Sequence, residues 1–152
     1  MEMIFNKNSS ENHLKKLKEL ILKSDEMIIC SGWVKITGLK LITKELKSAM
    51  KRKAKITLIT NREHTDQECI AYLKNHNIKH IIVDKSSRYF HTKMYYFLSN
   101  DSYDVLIGSA NLTSGALKSN EELSVLYSGK IGDNEHKKIS LYLDHINREY
   151  ND

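Results

Sequence analysis

Segments with a two-residue hydrophobic period alternate with segments of helical period along nearly the whole chain, and this alternation constrains the fold more than any other feature. A short strand at residues 3–5 precedes a helix capped by Ser9 or Ser10 that runs to about residue 24, with Leu14, Leu17, Leu20 and Ile21 as its apolar stripe. Residues 27–33 read as a strand. Thr37 caps a second helix carrying Leu39, Ile42, Leu46 and Met50, and a strand at 55–60 follows. Thr65 with Glu68 forms a capping box for a helix to about residue 75, ahead of a strand at 78–83. Two aromatic-rich strands come next, at 88–97 and 103–108, then a helical turn at 113–117, a strand at 122–127 and a closing helix at 134–150. The expected fold class is α/β, a mixed β-sheet sandwiched between helices, in which the two aromatic-rich strands form the one direct hairpin. Residues 1–152 read as a single domain, since there is no repeat, low-complexity tract or linker, no proline, and the six glycines are spread out. A chain of this length buries roughly 70% of the surface it exposes when unfolded, enough for a core without staples.

The chemistry is concentrated in residues 90–123. His91-Thr92-Lys93 is followed by Gly108-Ser109-Ala110-Asn111 and then by Asn120-Glu121-Glu122-Leu123. Residues two apart on a strand share a face, so His91 and Lys93 point the same way, as do Ser109 and Asn111 if the second strand extends through them. If the two strands are neighbours, an imidazole, an ammonium, a hydroxyl and a carboxamide converge. That set suits a phosphoryl group, with donors for its oxygens and a nitrogen able to attack phosphorus.

These blocks resemble the phospholipase D-like superfamily, whose core pattern is His-x-Lys, then Gly-Ser-x-Asn and a downstream Asn-x-Glu. The wording from Phe90 to Tyr95, from Gly108 to Thr113 and from Asn120 to Val125 is most similar to its nuclease branch, which includes restriction endonucleases and helicase-associated nuclease domains. The resemblance implies a phospholipase D-like single domain with His91, Lys93, Ser109, Asn111 and Glu122 as catalytic residues. His91 attacks the phosphodiester, giving a phosphohistidine. Lys93, Ser109 and Asn111 bind the non-bridging oxygens, and Glu122 orients the His91 ring. Strand alternation does not choose between Glu121 and Glu122; the Asn-x-Glu spacing selects Glu122. Full-length relatives carry two copies of the motif and this chain carries one, so the resemblance implies a homodimer with a composite active site. Because cationic side chains stabilise the charge, no metal and no cofactor is implied. The longer family motif has an Asp seven residues after the histidine, where Leu98 stands here; restriction-enzyme relatives share that departure, and the competing reading is an impaired site.

Composition narrows the partner. Cys30 and Cys69 are far apart and lack CxxC spacing, so neither a disulfide framework nor a zinc site is expected, and a reducing compartment fits. The first ten residues lack a signal-peptide pattern and no apolar run approaches the ~18 residues of a membrane span. A soluble cytoplasmic protein is therefore expected, with DNA rather than bulk lipid as substrate. The net charge of +5 favours a polyanion. The excess of lysine over arginine is equally well accounted for by coding bias. Lys44, Lys47, Lys51, Arg52, Lys53 and Lys55 form the densest basic cluster, read either as a DNA-contacting patch or as cations complementing a helix C-terminus.

Weaker candidates complete the set. Ser31 and Trp33 end a strand near the expected site, and Trp33 is placed to stack on a base or else to fill the core. Asn120 is a substrate-binding candidate or a loop residue, and Asn61-Arg62-Glu63-His64 follows a strand end without a specific pattern. His76 and His80 are four apart, but Asn75 and Asn77 break a helix there, which disfavours metal binding. The expected activity is a metal-independent DNA phosphodiesterase of restriction or helicase-associated type, with a recognition or helicase module elsewhere because 152 residues leave no room for one. Two alternatives stand beside it: a non-catalytic nucleic-acid-binding or regulatory domain, and a phospholipid phosphodiesterase.

Overall fold

The computed structural model describes residues 1–84 and 88–150. Three strands, β2 (Glu26–Ser31), β3 (Lys55–Asn61) and β4 (Lys79–Val83), pair in parallel and are linked through helices. Four others, β1 (Glu2–Phe5), β5 (Lys93–Ser99), β6 (Ser102–Gly108) and β7 (Leu123–Lys130), pair antiparallel. The two halves join where β2 meets β5 antiparallel, giving one seven-stranded sheet in the order β1-β7-β6-β5-β2-β3-β4.

Period-two patterning divides the sheet between two cores. Met27 and Ile29 of β2, Tyr95 and Phe97 of β5 and Leu106 of β6 face a layer made by α1 (His13–Lys23), α2 (Ile36–Lys40), α3 (Thr43–Lys51), α4 (Gln67–Asn75) and α5 (Ser114–Lys118). Their neighbours Cys30, Met94, Tyr96, Tyr103 and Val105 face the other side, against Ile139 and Ile146 of α6 (Asn134–Tyr150). The α/β expectation therefore holds, with five helices on one face and one on the other. Each fully buried aliphatic residue such as Leu17, Ile21, Leu46 or Leu58 contributes about 1.5–3 kcal/mol.

Local chemistry moved several boundaries. α1 is capped by Asn12, whose side chain accepts from the Lys15 N–H, and not by Ser9 or Ser10; Ser10 instead bonds the Asn8 carboxamide. The expected second helix is two, and Thr37 lies inside α2 instead of capping it. The α2 N-terminus is capped from a distant loop, the Asp66 carboxylate accepting from the Ile36 N–H at 2.8 Å. That use of Asp66, together with Thr65 donating to the Asn61 carbonyl, replaces the expected capping box at α4. The expected strand at 88–97 begins only at Lys93, and 27–33 stops at Ser31.

Strand register decides where loops meet. Ser31 lies opposite Lys93, Met94 opposite Ile107 and Gly108 opposite Ser124. The end of β2, the start of β5, the end of β6 and the start of β7 thus share one end of the sheet, at the junction of its parallel and antiparallel halves. Asn61, ending β3, joins them by donating its carboxamide N–H to the Phe90 carbonyl at 3.1 Å.

Candidate active site

The residues singled out in the sequence meet at this end of the sheet. His91 and Lys93 do not share a face through strand alternation, because His91 precedes β5; the Lys93 ammonium folds back to donate to the His91 carbonyl at 2.9 Å. Nor do Ser109 and Asn111 extend β6, which ends at Gly108. They sit in the following loop, where Val34 bridges to both Leu112 and Thr65. Two glycines permit the close approach. A Cβ on Gly32 would lie 3.1 Å from both Cα and Nδ1 of His91, and one on Gly108 would overlap the Leu123 carbonyl and the Ser124 hydroxyl.

Asn111 is oriented by its neighbours. Its carboxamide oxygen accepts from the Trp33 N–H at 3.0 Å, with the Ser31 hydroxyl at 3.5 Å, so its NH2 group is the donor left to face outward. Ser31 is fully buried, accepts from the Leu112 N–H at 2.9 Å and donates to the Trp33 carbonyl at 2.7 Å. It therefore lies beneath the site as a brace, not where a substrate would touch it. Trp33 is exposed at the surface, not part of the core.

The electrostatics suit a neutral nucleophile. Burial lowers the His91 pKa below its ordinary value, and the Lys93 ammonium and His64 lower it further. Lys93 is also lowered by burial, with the Glu122 carboxylate opposing. The Ser109 hydroxyl bonds that carboxylate and accepts from the Leu123 N–H at 3.1 Å. Nδ1 is the His91 ring nitrogen that lies toward Gly32.

Beneath Glu122 lies a group that sequence reasoning missed. His13 is fully buried, with Nδ1 2.9 Å from the Asn6 carboxamide oxygen and Nε2 2.9 Å from the Ser124 hydroxyl. An amide oxygen only accepts, so Nδ1 carries the proton and Nε2 receives the Ser124 O–H. Burial lowers the His13 pKa and Glu122 opposes this, consistent with a neutral ring. No spacing in the sequence ties residue 13 to residue 124. Asn120 belongs to the same framework: its N–H donates to the Gly115 carbonyl at 2.8 Å, its carbonyl accepts from Asn6 at 2.9 Å, and its side chain lies against Gly115. These contacts tie Asn120 to the scaffold.

Other candidates fall away from the site. Leu98 packs with the α6-side core at the far end of β5, and Asp101 and Asp104 beside it pair with Lys130 and Lys23. The cluster from Lys51 to Lys55 sits where β3 begins, opposite the site, and Arg52 donates to the carbonyls of Ile21 and Ser24. His76 bonds the Tyr72 carbonyl, while His80 bonds Thr60 and burial brings its pKa down to about 4. Both cysteines are free and buried. Among the described residues no helix is long and apolar enough to cross a membrane.

The fold is that of a phospholipase D-like α/β protein. The chain belongs to the phospholipase D-like family: residues 17–146 match the family model described as "Cardiolipin synthase, PLD-like domain". Among solved structures it is similar to NucT from Helicobacter pylori, with 22% identity over 98% of this chain and 96% of that one and a TM-score of 0.75. Nuc from Salmonella typhimurium, a phospholipase D family member, matches at 19% identity over 95% and 89% with a TM-score of 0.71. Yeast tyrosyl-DNA phosphodiesterase matches at 16% identity over 87% of this chain and 33% of that one, with a TM-score of 0.59. Comparison with curated protein sequences finds no significant match.

Proposed function

We propose that this protein is a metal-independent DNA phosphodiesterase, an endonuclease of restriction or helicase-associated type, whose active site is completed by a second copy of the chain. The observation that carries the proposal is the convergence of His91, Lys93, Ser109, Asn111 and Glu122 at one end of the sheet, around a histidine whose depressed pKa favours the nucleophilic form. Nε2 of His91 attacks phosphorus, forming an N–P bond as a P–O bond breaks, and His91 of the partner subunit gives its proton to the leaving oxygen. Water then passes a proton to that second imidazole and attacks phosphorus, releasing His91. Lys93 and the Asn111 NH2 stabilise the charge on the non-bridging oxygens, the work a metal ion does in many nucleases. Glu122 holds Ser109 and orients the His91 ring.

Two observations support pairing. The chain supplies one motif histidine, and an uncovered apolar strip borders the site. Phe5 lies opposite Leu123, and Met3 and Ile107 both lie opposite Val125; Met3, Phe5, Ile107 and Leu123 are 40–52% exposed. DNA is favoured by the net charge of +5 and by the name of the yeast fold neighbour. A phospholipid phosphodiesterase is the second reading, favoured by the wording of the matched family description.

The purified protein is expected to cut DNA in EDTA, His91→Ala to abolish cutting, and Asn111→Ala to slow it about 10²- to 10³-fold. Cleavage that requires a divalent metal would overturn the mechanism. Salt-sensitive binding without cleavage would instead identify a non-catalytic DNA-binding domain, and hydrolysis of phosphatidylcholine would select the lipid reading.

A further inference from the structure

A row of rings leads away from His91. Trp33 stacks on His64 with centroids 4.4 Å apart, His64 meets Tyr89 edge-on at 6.0 Å, and Tyr89 tilts against His91 at 5.8 Å. Nothing in the core requires this row: Trp33 is 40% and Tyr89 49% exposed, while the neighbouring aromatics Phe90, Tyr95 and Tyr96 are buried. Its backbone is nonetheless held in place. The Val34 N–H donates to the His64 carbonyl at 3.0 Å, fixing Trp33 beside His64, and Asn61 grips the Phe90 carbonyl next to Tyr89. Lys35 places its ammonium 5.7 Å from the Trp33 ring centroid, adding a cation beside the outermost ring.

We infer that Trp33, His64 and Tyr89 form a base-stacking track that selects an unpaired strand, so that the substrate is single-stranded nucleic acid entering along these rings with its scissile phosphate at His91. This rests on the phosphate site proposed above and adds the strand form to it. Both faces of a base inside a duplex are already stacked at a rise of ~3.4 Å, so away from duplex ends only an unpaired base can offer a face to protein rings. The row is also separate from the apolar strip proposed for pairing. The strip lies on β1, β7 and β6, whereas the rings lie beyond the ends of β2 and β3 and just ahead of β5.

Trp33 is the only tryptophan, so its emission reports directly on the row. The test titrates the His91→Ala protein, which leaves the strand uncut, with a short deoxyoligonucleotide and with a relaxed closed-circular duplex, which has no exposed terminal base pair. The single strand is expected to quench Trp33 and the duplex not. Tyr89→Ala should weaken the single-strand affinity about 5- to 100-fold, with Tyr89→Phe retaining it. An unquenched Trp33, equal quenching by the duplex, or unchanged affinity in Tyr89→Ala would overturn the track. The outcome is independent of turnover: quenching without cleavage by the wild type would leave the track standing and remove the phosphodiesterase, and cleavage without quenching would do the reverse.

Discussion

The basicity of His91 is set by its surroundings. Partial burial, the Lys93 ammonium and His64 all disfavour the imidazolium, so the ring loses its proton at a lower pH than an ordinary histidine. A ring titration followed by NMR is expected to give a His91 pKa below 6.5, and Lys93→Gln should move it upward by removing a nearby positive charge. An unchanged value in that variant would show that the two side chains are not electrostatically coupled. The His-x-Lys pair was legible in the sequence, but the reason for its proximity was not. Alternation on a strand suggested a shared face, while the structure brings the pair together through a pre-strand turn in which Lys93 bonds the His91 carbonyl. Ser31 and Asn120 show the same limit, because spacing carried no information about the burial of Ser31 or the contacts that tie Asn120 to Gly115 and Asn6.

Elements near the site are held by contacts between loops distant in sequence. Asp66 caps α2 through the Ile36 N–H and pairs with Lys35, and the Ile36 N–H holds its carboxyl below the usual range. Asp66→Ala is expected to lower stability by about 1–2 kcal/mol in urea unfolding, with a smaller loss for Asp66→Asn, which keeps an acceptor. Equal losses would show that charge, not the cap, is what matters. The helix periodicities of α1, α5 and α6 could be read from the sequence because their apolar stripes are local. The break between α2 and α3 could not, since Gly38 packs so closely on Leu112 and Thr113 that its role appears only once the 108–113 loop is in place.

At the scale of the whole molecule, the junction of parallel and antiparallel halves gathers five polar side chains from three separate stretches of chain, but it supplies a single motif histidine. If two copies complete each site, an excess of the His91→Ala chain should silence wild-type subunits after exchange. Activity is then expected to fall as the square of the wild-type fraction, measured as DNA cleavage in mixtures at constant total protein. A linear fall would mean that one chain suffices. The uncovered faces of Met3, Phe5, Ile107 and Leu123 give this pairing a surface next to the site.

Residue order alone determined the α/β alternation and the His-x-Lys, Gly-Ser-x-Asn and Asn-x-Glu blocks that carry the family resemblance, because periodicity and motif spacing are local properties. Tertiary structure decided the rest. Register aligned Ser31 with Lys93 and Gly108 with Ser124, burial put a neutral His13 under Ser124, and loop packing drew Trp33, His64 and Tyr89 into one row. Those relations join residues separated by 16 to more than 100 positions, and only closure of the sheet brings them within reach of one another.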